Sequence, residues 1–207
     1  MFKRIDDWVW NHQVKKRFGI PHAIHMVVKT DECQMVLWHE DDVPELFARP
    51  NDISLHEKLI AEWKQAARNT VAKPLKYIRK FNIITNDGIS DISKNRTGET
   101  TNTNLWYLYG DASSPAEDLG DHALNNKVFG ASFASKGSRA SINGTEKYLM
   151  PILYTDYVGA IREAGLATGP TPPTDILLTH YTFPLVTIAT STLLTALTTI
   201  TNRNGIS

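Results

Sequence analysis

The sequence predicts an α+β protein in which a helical or mixed N-terminal region precedes a region of antiparallel β-strands. Residues 1–80 contain 25 of the 44 charged residues and four of the five tryptophans. The remainder is richer in Thr, Ser, Asn and Gly. Across residues 164–201 the one formal charge is Asp175, and neutral, threonine-rich sequence of this kind is typical of packed strands. We therefore expect two regions, 1–80 and 81–207.

The N-terminal segment Ile5–Phe18 has the pattern of an amphipathic helix. Apolar side chains recur at spacings of three and four residues, with acidic residues in the first turn and basic residues in the last, which suits the helix dipole. A glycine and a proline follow, as at many helix ends. Ala23–Val28 and Gln34–Trp38 are then predicted to be two strands around a polar turn at residues 31–32.

The clearest helix is Leu55–Val71. Ser54 and Glu57 have the spacing of a capping box, in which each side chain binds a free backbone N–H at the helix start. Apolar residues at helical spacing follow, and a proline ends the pattern. A shorter helix is predicted at Thr85–Ser93, with one of its first two residues as the N-cap.

The C-terminal part is predicted to form strands separated by turns. Each candidate alternates in polarity or carries branched and aromatic side chains. Asn143 and Gly144 form a hairpin turn between two of them, because both residues tolerate positive φ. The last segment also fits helical spacing, but its threonines favour a strand. The predicted strands are Leu105–Tyr109, Lys127–Phe133, Arg139–Ile142, Lys147–Tyr154, Ile176–Phe183 and Thr187–Ile200.

Charge and cysteine content argue against several functional classes. The net charge is zero, with 22 basic and 22 acidic residues, which does not suit a nucleic-acid or anionic-membrane partner. The single cysteine, Cys33, allows no disulfide within the chain, and we expect it to be a small buried apolar residue. The N-terminus lacks the apolar run of a signal peptide, so we expect synthesis in the cytoplasm without secretion. Residues 176–201 are too polar for a membrane-spanning helix.

No motif for nucleotide binding, hydrolysis or metal catalysis occurs in the sequence. His22 and His25 point to opposite faces of a predicted strand, and the acidic residues 40–45 lack the spacing of a calcium loop. The basic patch in Lys73–Lys80 fits an exposed linker or a protein interface better than a nucleic-acid site. The sequence therefore predicts no cofactor, no metal and no catalytic residue.

The segment Lys80–Ile89 resembles the opening of small β-rich virion proteins of tailed bacteriophages, in which an N-x-I-T-N-x-G-L-like helix precedes a Y-I-A-x-G-like strand. Leu105–Gly110 takes the place of that strand. Ser113–Gly120 is similar to the loop and T-x-L-G element that follow. Residues 161–166, Ile-Arg-Glu-Ala-Gly-Leu, look like the family's I-x-E-A-G-L-F turn. This order extends over residues 81–201.

The resemblance implies that residues 81–207 form an antiparallel β-sandwich domain. It implies a non-enzymatic structural component of a tailed phage particle, in a tail, neck, fibre or baseplate, with a capsid decoration protein as the alternative. The location is then the virion, and the partners are other virion proteins and further copies of the chain, as a trimer or hexamer. The family-like turn consists of Arg162, Glu163, Ala164, Gly165 and Leu166.

Residues 1–80 are then the docking region, with Trp8 and Trp10 as candidate partner contacts, because tryptophan dominates interface hot spots. Deleting residues 1–72 is expected to leave a folded β domain that no longer joins its partner. The chain departs from the family pattern at Ala167, where an aromatic is usual, and by the inserted residues 169–173.

Two competing functions depend on particular side chains. A carbohydrate- or receptor-binding module would stack its ligand on the exposed aromatic side chains of Trp106, Tyr107, Tyr154 and Tyr157. Aromatic strand residues usually pack into a core, which favours a structural role for these four. A hydrolase acting on glycans would need two carboxylates in a cleft. The candidate pairs are Glu117 with Asp118, and Glu163 with Asp156.

Overall fold

The computed structural model describes residues 26–66, 72–81, 83–88, 90–91, 104–112, 118, 120–142, 145–172 and 174–204. Nearly all of these residues belong to one compact unit, Val28–Asn202. The described residues are mostly antiparallel β-sheet, with few helices. The predicted helix Ile5–Phe18, with Trp8 and Trp10, lies outside the described residues.

Ten strands of the described chain form two five-stranded sheets. The first sheet has the order β2-β1-β10-β7-β6, and the second has the order β3-β9-β8-β4-β5. The strands are β1 Met26–His39, β2 Lys76–Lys80, β3 Ile83–Ile84, β4 Trp106–Gly110, β5 Lys127–Ser132, β6 Ser138–Ile142, β7 Thr145–Leu153, β8 Gly159–Ala167, β9 Thr179–Ile188 and β10 Thr192–Asn204.

Two helices, α1 (Pro44–Ala48) and α2 (Ile53–Gln65), lie between β1 and β2, after a short 3-10 turn. Helix α2 confirms the predicted position of the main helix, but not its limits. Asp52 is the N-cap, and its side chain accepts a hydrogen bond from the backbone N–H of Leu55 at 3.0 Å. A carboxylate at this position also interacts favourably with the helix dipole. The predicted capping box and the predicted end at residue 71 are therefore wrong.

Strand β1 is continuous where the sequence predicts a turn at residues 31–32. Glu32 forms an ion pair of 2.5 Å with Arg79 of the neighbouring strand β2, so a polar residue here is a cross-strand contact instead of a turn signal. Because β1 and β2 belong to the same sheet as β10, the β unit extends across the boundary predicted at residue 80. Residues 28–80 therefore belong to the same compact unit as the later strands.

One large core contains residues of both sheets. Aromatic rings contribute much of it: Tyr107 stacks near Tyr109 at a centroid distance of 5.0 Å and meets Tyr181 edge-on at 6.2 Å. Such ring pairs stabilise a core beyond the area they bury. The first sheet contributes Cys33, Met35, Leu37, Met150, Ile152, Leu194, Ala196 and Ile200 to this core.

Alternate residues of the same strands pack on the opposite face of each sheet, as the two-residue period of a strand requires. In the first sheet, Val36, Trp38 and Leu193 form a second cluster with residues of α1 and α2. In the second sheet, a third cluster joins strand and loop residues. Its members are Trp106, Leu108, Leu124, Ala167 and Leu177.

The threonine-rich last segment is the strand β10, as predicted over the helical alternative. It lies between β1 and β7 in the first sheet. Thr192, Thr195 and Thr198 are buried, and the Thr195 hydroxyl donates to the Val36 carbonyl at 3.2 Å. Both neighbours of this strand are therefore supplied by its own chain, and it is a core strand instead of an exposed edge.

The motif at residues 162–166 belongs to strand β8 and is not a turn, which corrects the sequence prediction. Strand β8 lies between β4 and β9. Gly165 is required for close strand approach, because a Cβ at this position would overlap the Thr179 carbonyl oxygen. Pro184 lies within β9 near the register shift between Ile161 and Glu163, where a residue without an N–H is tolerated.

Candidate functional site

Glu163, one of the motif residues 162–166, accepts several hydrogen bonds, and its side chain is completely buried. Its Oε1 accepts a hydrogen bond from the backbone N–H of Asn126 at 2.8 Å. Its Oε2 accepts from the backbone N–H and the side-chain amide of Asn125, both at 3.0 Å. Burial alone would raise the pKa of Glu163, but hydrogen bonds from His180, Asn126 and Asn125 lower it to about 2. The carboxyl group is therefore ionised inside the protein.

His180 of β9 bridges two carboxylates and is itself completely buried. Its Nε2 lies 3.1 Å from Glu163 Oε2, and its Nδ1 lies 2.5 Å from Asp121 Oδ2. Ionised carboxylates only accept hydrogen bonds, so both ring nitrogens must carry a proton. Burial lowers the pKa of His180, but the contacts with Glu163 and Asp121 outweigh it and raise the pKa overall. These three residues are called the Glu163–His180–Asp121 network below.

Residues 120–126, named the strap here, supply the polar partners of this network. Asp121 reaches His180, while Asn125 and Asn126 donate to Glu163. Leu124 anchors the strap by packing into the third cluster. Gly110 leaves room for this arrangement, because a Cβ there would overlap both the Glu163 carboxylate and the Asn126 carbonyl.

A short helical segment, residues 86–88 and 90–91, packs beside the strap. Thr85 is its N-cap, since its hydroxyl accepts from the Gly88 N–H at 2.9 Å, which confirms one of the two predicted caps. The Thr85 N–H donates to the Leu178 carbonyl at 3.1 Å. His122 of the strap contacts Asp87 at 2.5 Å, so the strap and the helical segment are joined directly.

The two buried members of the network, Glu163 and His180, are engaged in hydrogen bonds within the protein. A catalytic base needs a lone pair that substrate can reach, whereas both nitrogens of His180 and both oxygens of Glu163 already have partners. Within the part of the chain that the structure describes, no group of three or more His, Cys, Asp or Glu side chains is placed to hold a metal ion. Of the other motif residues, Ala164 and Leu166 lie in the core, and Arg162 forms an ion pair with Asp111.

The four aromatic residues considered for ligand stacking pack against the cores, which agrees with the structural role that the sequence favours. Tyr107 is a fully buried core residue, and Tyr154 and Tyr157 pack partly buried against the same core. Trp106 packs in the third cluster with its indole N–H buried. These four side chains therefore form no common exposed surface.

The carboxylate pairs proposed for hydrolysis are also separated by their contacts. Asp156 forms an ion pair with Lys136 and accepts from the Leu153 N–H at 3.1 Å, whereas Glu163 binds His180. Asp118 is exposed, and Glu117 lies outside the described residues. The structure gives Asp156 and Glu163 different partners and so offers no shared acid–base pair.

Cys33 is buried in the main core, as the sequence predicts. Its sulfur lies 3.5 Å from the Tyr107 hydroxyl, which in turn lies 3.1 Å from the Thr198 hydroxyl. Burial raises the pKa of the Cys33 thiol to about 12. A thiol in this state is a poor nucleophile, because the thiolate is the reactive form.

Comparisons with known proteins give no relative: no family model matches the chain, and no curated protein or solved structure is significantly similar to it. None of the described helices has the length and apolar character needed to cross a membrane. Function must therefore be argued from the surface and the edges of the two sheets.

Proposed function

We propose that this chain is a non-enzymatic β-sandwich protein that works through protein–protein contacts as a structural component of a tailed phage particle. A tail, neck, fibre or baseplate position is favoured, with capsid decoration as the alternative. The phage assignment is supported by the sequence resemblance of residues 81–201 alone. Assembly through protein–protein contacts is supported by the edge strands of the two sheets, and above all by the edge strands β5 and β6.

The edge strands come in two consecutive pairs. Among the described strands, β2 and β6 end the first sheet, and β3 and β5 end the second. Only residues 81–82 separate β2 from β3, and residues 133–137 separate β5 from β6. Connections this short keep the joined strands close in space. In each pair, an edge strand of the first sheet therefore lies close to an edge strand of the second sheet.

The two pairs differ in how well they resist pairing with another chain. Strand β2 reads Lys-Tyr-Ile-Arg-Lys, and charged residues, lysine above all, protect an edge from strand addition. Strands β5 and β6 carry one charge each, Lys127 and Arg139. Their other residues are mostly small, and Ile142 at the end of β6 is 59% exposed. Residues 127–142 are called the low-charge edge below, and this edge is the observation that carries the proposal.

The face of the sheet formed by β6 and its paired neighbour β7 carries a groove. A shallow groove of about 340 Å³ is lined by Arg139, Ala140, Ser141, Glu146 and Tyr148. An edge strand has backbone N–H and C=O groups without a strand partner. In a ring of copies, the low-charge edge of each copy would contact a different surface of the next copy, and such contacts close into a ring. The proposal therefore expects a closed homo-oligomer, a trimer or a hexamer, built on the low-charge edge.

The oligomeric state of the full chain tests this mechanism. Size-exclusion chromatography with light scattering should give a trimer or hexamer, and Ile142→Lys should dissociate it by placing a charge in the contact. Leu75→Lys is the matched control, because Leu75 is 56% exposed beside the opposite edge strand β2. A monomer at every concentration, or an oligomer lost in the control and kept in Ile142→Lys, contradicts the proposal.

The phage assignment has its own test. Particles released from cells that express the gene together with the rest of its genome should be purified on a density gradient and analysed by mass spectrometry. The chain should be recovered with the particles in many copies. Recovery only from the soluble fraction overturns the virion role, whatever the oligomeric state.

A further inference from the structure

We propose that the strap, residues 120–126, is a pH-sensitive cover over the second sheet, closed while His180 carries both ring protons and loosened when one is lost. This inference stands apart from the proposed function, since it depends only on the Glu163–His180–Asp121 network. The step is a simple proton transfer from the imidazolium to solvent hydroxide, which yields water and neutral imidazole.

The geometry makes the charge on His180 necessary for closure. Asp121 accepts at Nδ1 and Glu163 accepts at Nε2, and the side chains of His180 and Glu163 have no exposure to solvent. A neutral imidazole has one N–H, so after deprotonation one of the two carboxylates faces a lone pair. A buried carboxylate that has lost a charged donor is strongly destabilised. Asp121 is the carboxylate that can move, because it belongs to the strap and is partly exposed.

The other charged groups around His180 are also acidic or already engaged. The helical segment contributes Asp87, which contacts His122, and the buried Asp91. Asp118 precedes the strap, and its backbone N–H donates to Asp121 at 2.7 Å. On β8 the neighbouring Arg162 pairs with Asp111. Strand β3 contributes the uncharged Ile83 opposite His180. The negative charges that favour the protonated form of His180 are those of Glu163 and Asp121.

Opening of the strap would uncover an apolar surface. Leu124 of the strap packs with Leu108, Ala167 and Leu177 of the second sheet and its flank, and these four are almost fully buried. Exposed apolar surface of this kind favours contact with a protein partner. The cover thus links the protonation of a single histidine to the availability of an apolar face.

The direction of the pH dependence follows from the pKa of each group. The pKa of His180 is raised above 6.5, so its contribution to closure is complete below that value and is lost as pH rises through the folded-state pKa. The pKa of Glu163 is lowered from 4.5 to about 2, so its contribution is present above 4.5 and is lost as pH falls toward 2. The strap is therefore held most firmly between these limits, and it loosens in alkaline solution.

Nuclear magnetic resonance of the full-length wild-type chain tests the proposal without a variant. The ¹⁵N shifts of His180 should show two protonated ring nitrogens at about pH 6 and one at the alkaline end of a titration that is followed until the ring loses a proton. Over the same range the hydrogen-exchange protection of the Asn125 and Asn126 amides should fall about tenfold or more, the effect of losing one charged hydrogen bond. A neutral His180 at about pH 6, or protection that does not change, overturns the proposal.

Two variants separate the network from other histidines. His122→Gln removes the exposed histidine of the strap and should leave the pH dependence at Asn125 and Asn126 in place. Asp121→Asn removes one of the two carboxylates, so His180 then needs a single proton and the alkaline loss of protection should disappear. If His122→Gln abolishes the pH dependence instead, the role assigned to His180 is wrong.

Discussion

The Nε2 atom of His180 lies 3.1 Å from the Oε2 atom of Glu163, and neither side chain is exposed to solvent. A buried ion pair of this kind contributes to stability only when its remaining atoms also have partners. Here the backbone N–H groups of Asn125 and Asn126 donate hydrogen bonds to the Glu163 carboxylate, and Asp121 accepts one from the other ring nitrogen of His180. The pair therefore fixes the strap against the second sheet.

The first prediction concerns this pair. Glu163→Gln should lower the free energy of unfolding by about 3 kcal/mol, because it leaves the buried imidazolium with one carboxylate fewer. Urea denaturation at neutral pH measures the loss. The control is Glu57→Gln, which breaks the partly exposed pair with Lys147 and should cost less than about 1 kcal/mol. Equal effects of the two substitutions would contradict the account of the network.

A second prediction concerns His56 of helix α2, which is fully buried with no hydrogen-bond partner at either ring nitrogen. Burial lowers its pKa from 6.5 to about 4. The pH therefore acts on stability through His56: the folded protein is not destabilised by this group above pH 6.5, and it loses stability as the pH falls toward 4, because the unfolded chain binds the proton more tightly. His56→Leu should be more stable than the wild type, by about 1 to 3 kcal/mol, because a buried unpaired polar group is removed.

Thermal unfolding across the acidic range checks this expectation. The stability difference between His56→Leu and the wild type should widen as the solution becomes more acidic, since only the wild type has a histidine at position 56 that binds a proton more tightly in the unfolded chain. A variant less stable than the wild type at every pH would show that His56 has a partner in the folded protein.

A third prediction tests the strand assignment of residues 162–166. Gly165→Ala should destabilise the protein by more than about 2 kcal/mol, because the new methyl group would meet the Thr179 backbone of the adjacent strand. Gly120→Ala is the control, since the nearest atom to a Cβ there is a flexible Asp118 oxygen at 3.3 Å. If Gly165→Ala is tolerated as well as the control, the close approach of β8 and β9 is wrong.

A fourth prediction reverses an expectation from the sequence. Deleting residues 1–72 would remove β1 from between β2 and β10, together with α1 and α2. The truncated chain should fail to unfold cooperatively, because Leu193 and much of the main core lose their cover. Circular dichroism during heating measures this. A cooperative transition in the truncated chain would restore the boundary that the sequence suggested.

The sequence predicted the strands well where local pattern determines the structure. The segments at β4 to β7 and β10 alternate in polarity or are rich in branched residues. Strands β4 to β7 lie within two residues of their predicted bounds, whereas β10 begins five residues later than predicted. It failed where a polar residue is paired across strands. The local pattern at Glu32 indicates a turn, because its partner Arg79 is distant in the sequence. The turn assignment of Gly165 comes from the resemblance of residues 161–166, and the close approach of the Thr179 backbone cannot be read from the local sequence.

The buried network could not be predicted for the same reason. Glu163, His180 and Asp121 are ordinary polar residues of three separate segments, and only the sheet topology brings them together. The motif containing Glu163 was singled out by resemblance, but its chemical role came from contacts with the strap. A hint was available in His180, a titratable residue in the uncharged segment 176–201, because a polar side chain that is buried in such a segment needs a partner.

The most direct test of the central claim is hydrogen exchange by mass spectrometry on the full chain at concentrations above and below its assembly. The account predicts that association protects backbone amides of the low-charge edge, residues 127–142, and leaves β2 unchanged. Protection centred on residues 76–84 instead, with residues 127–142 exchanging equally in both states, would contradict assembly through the low-charge edge.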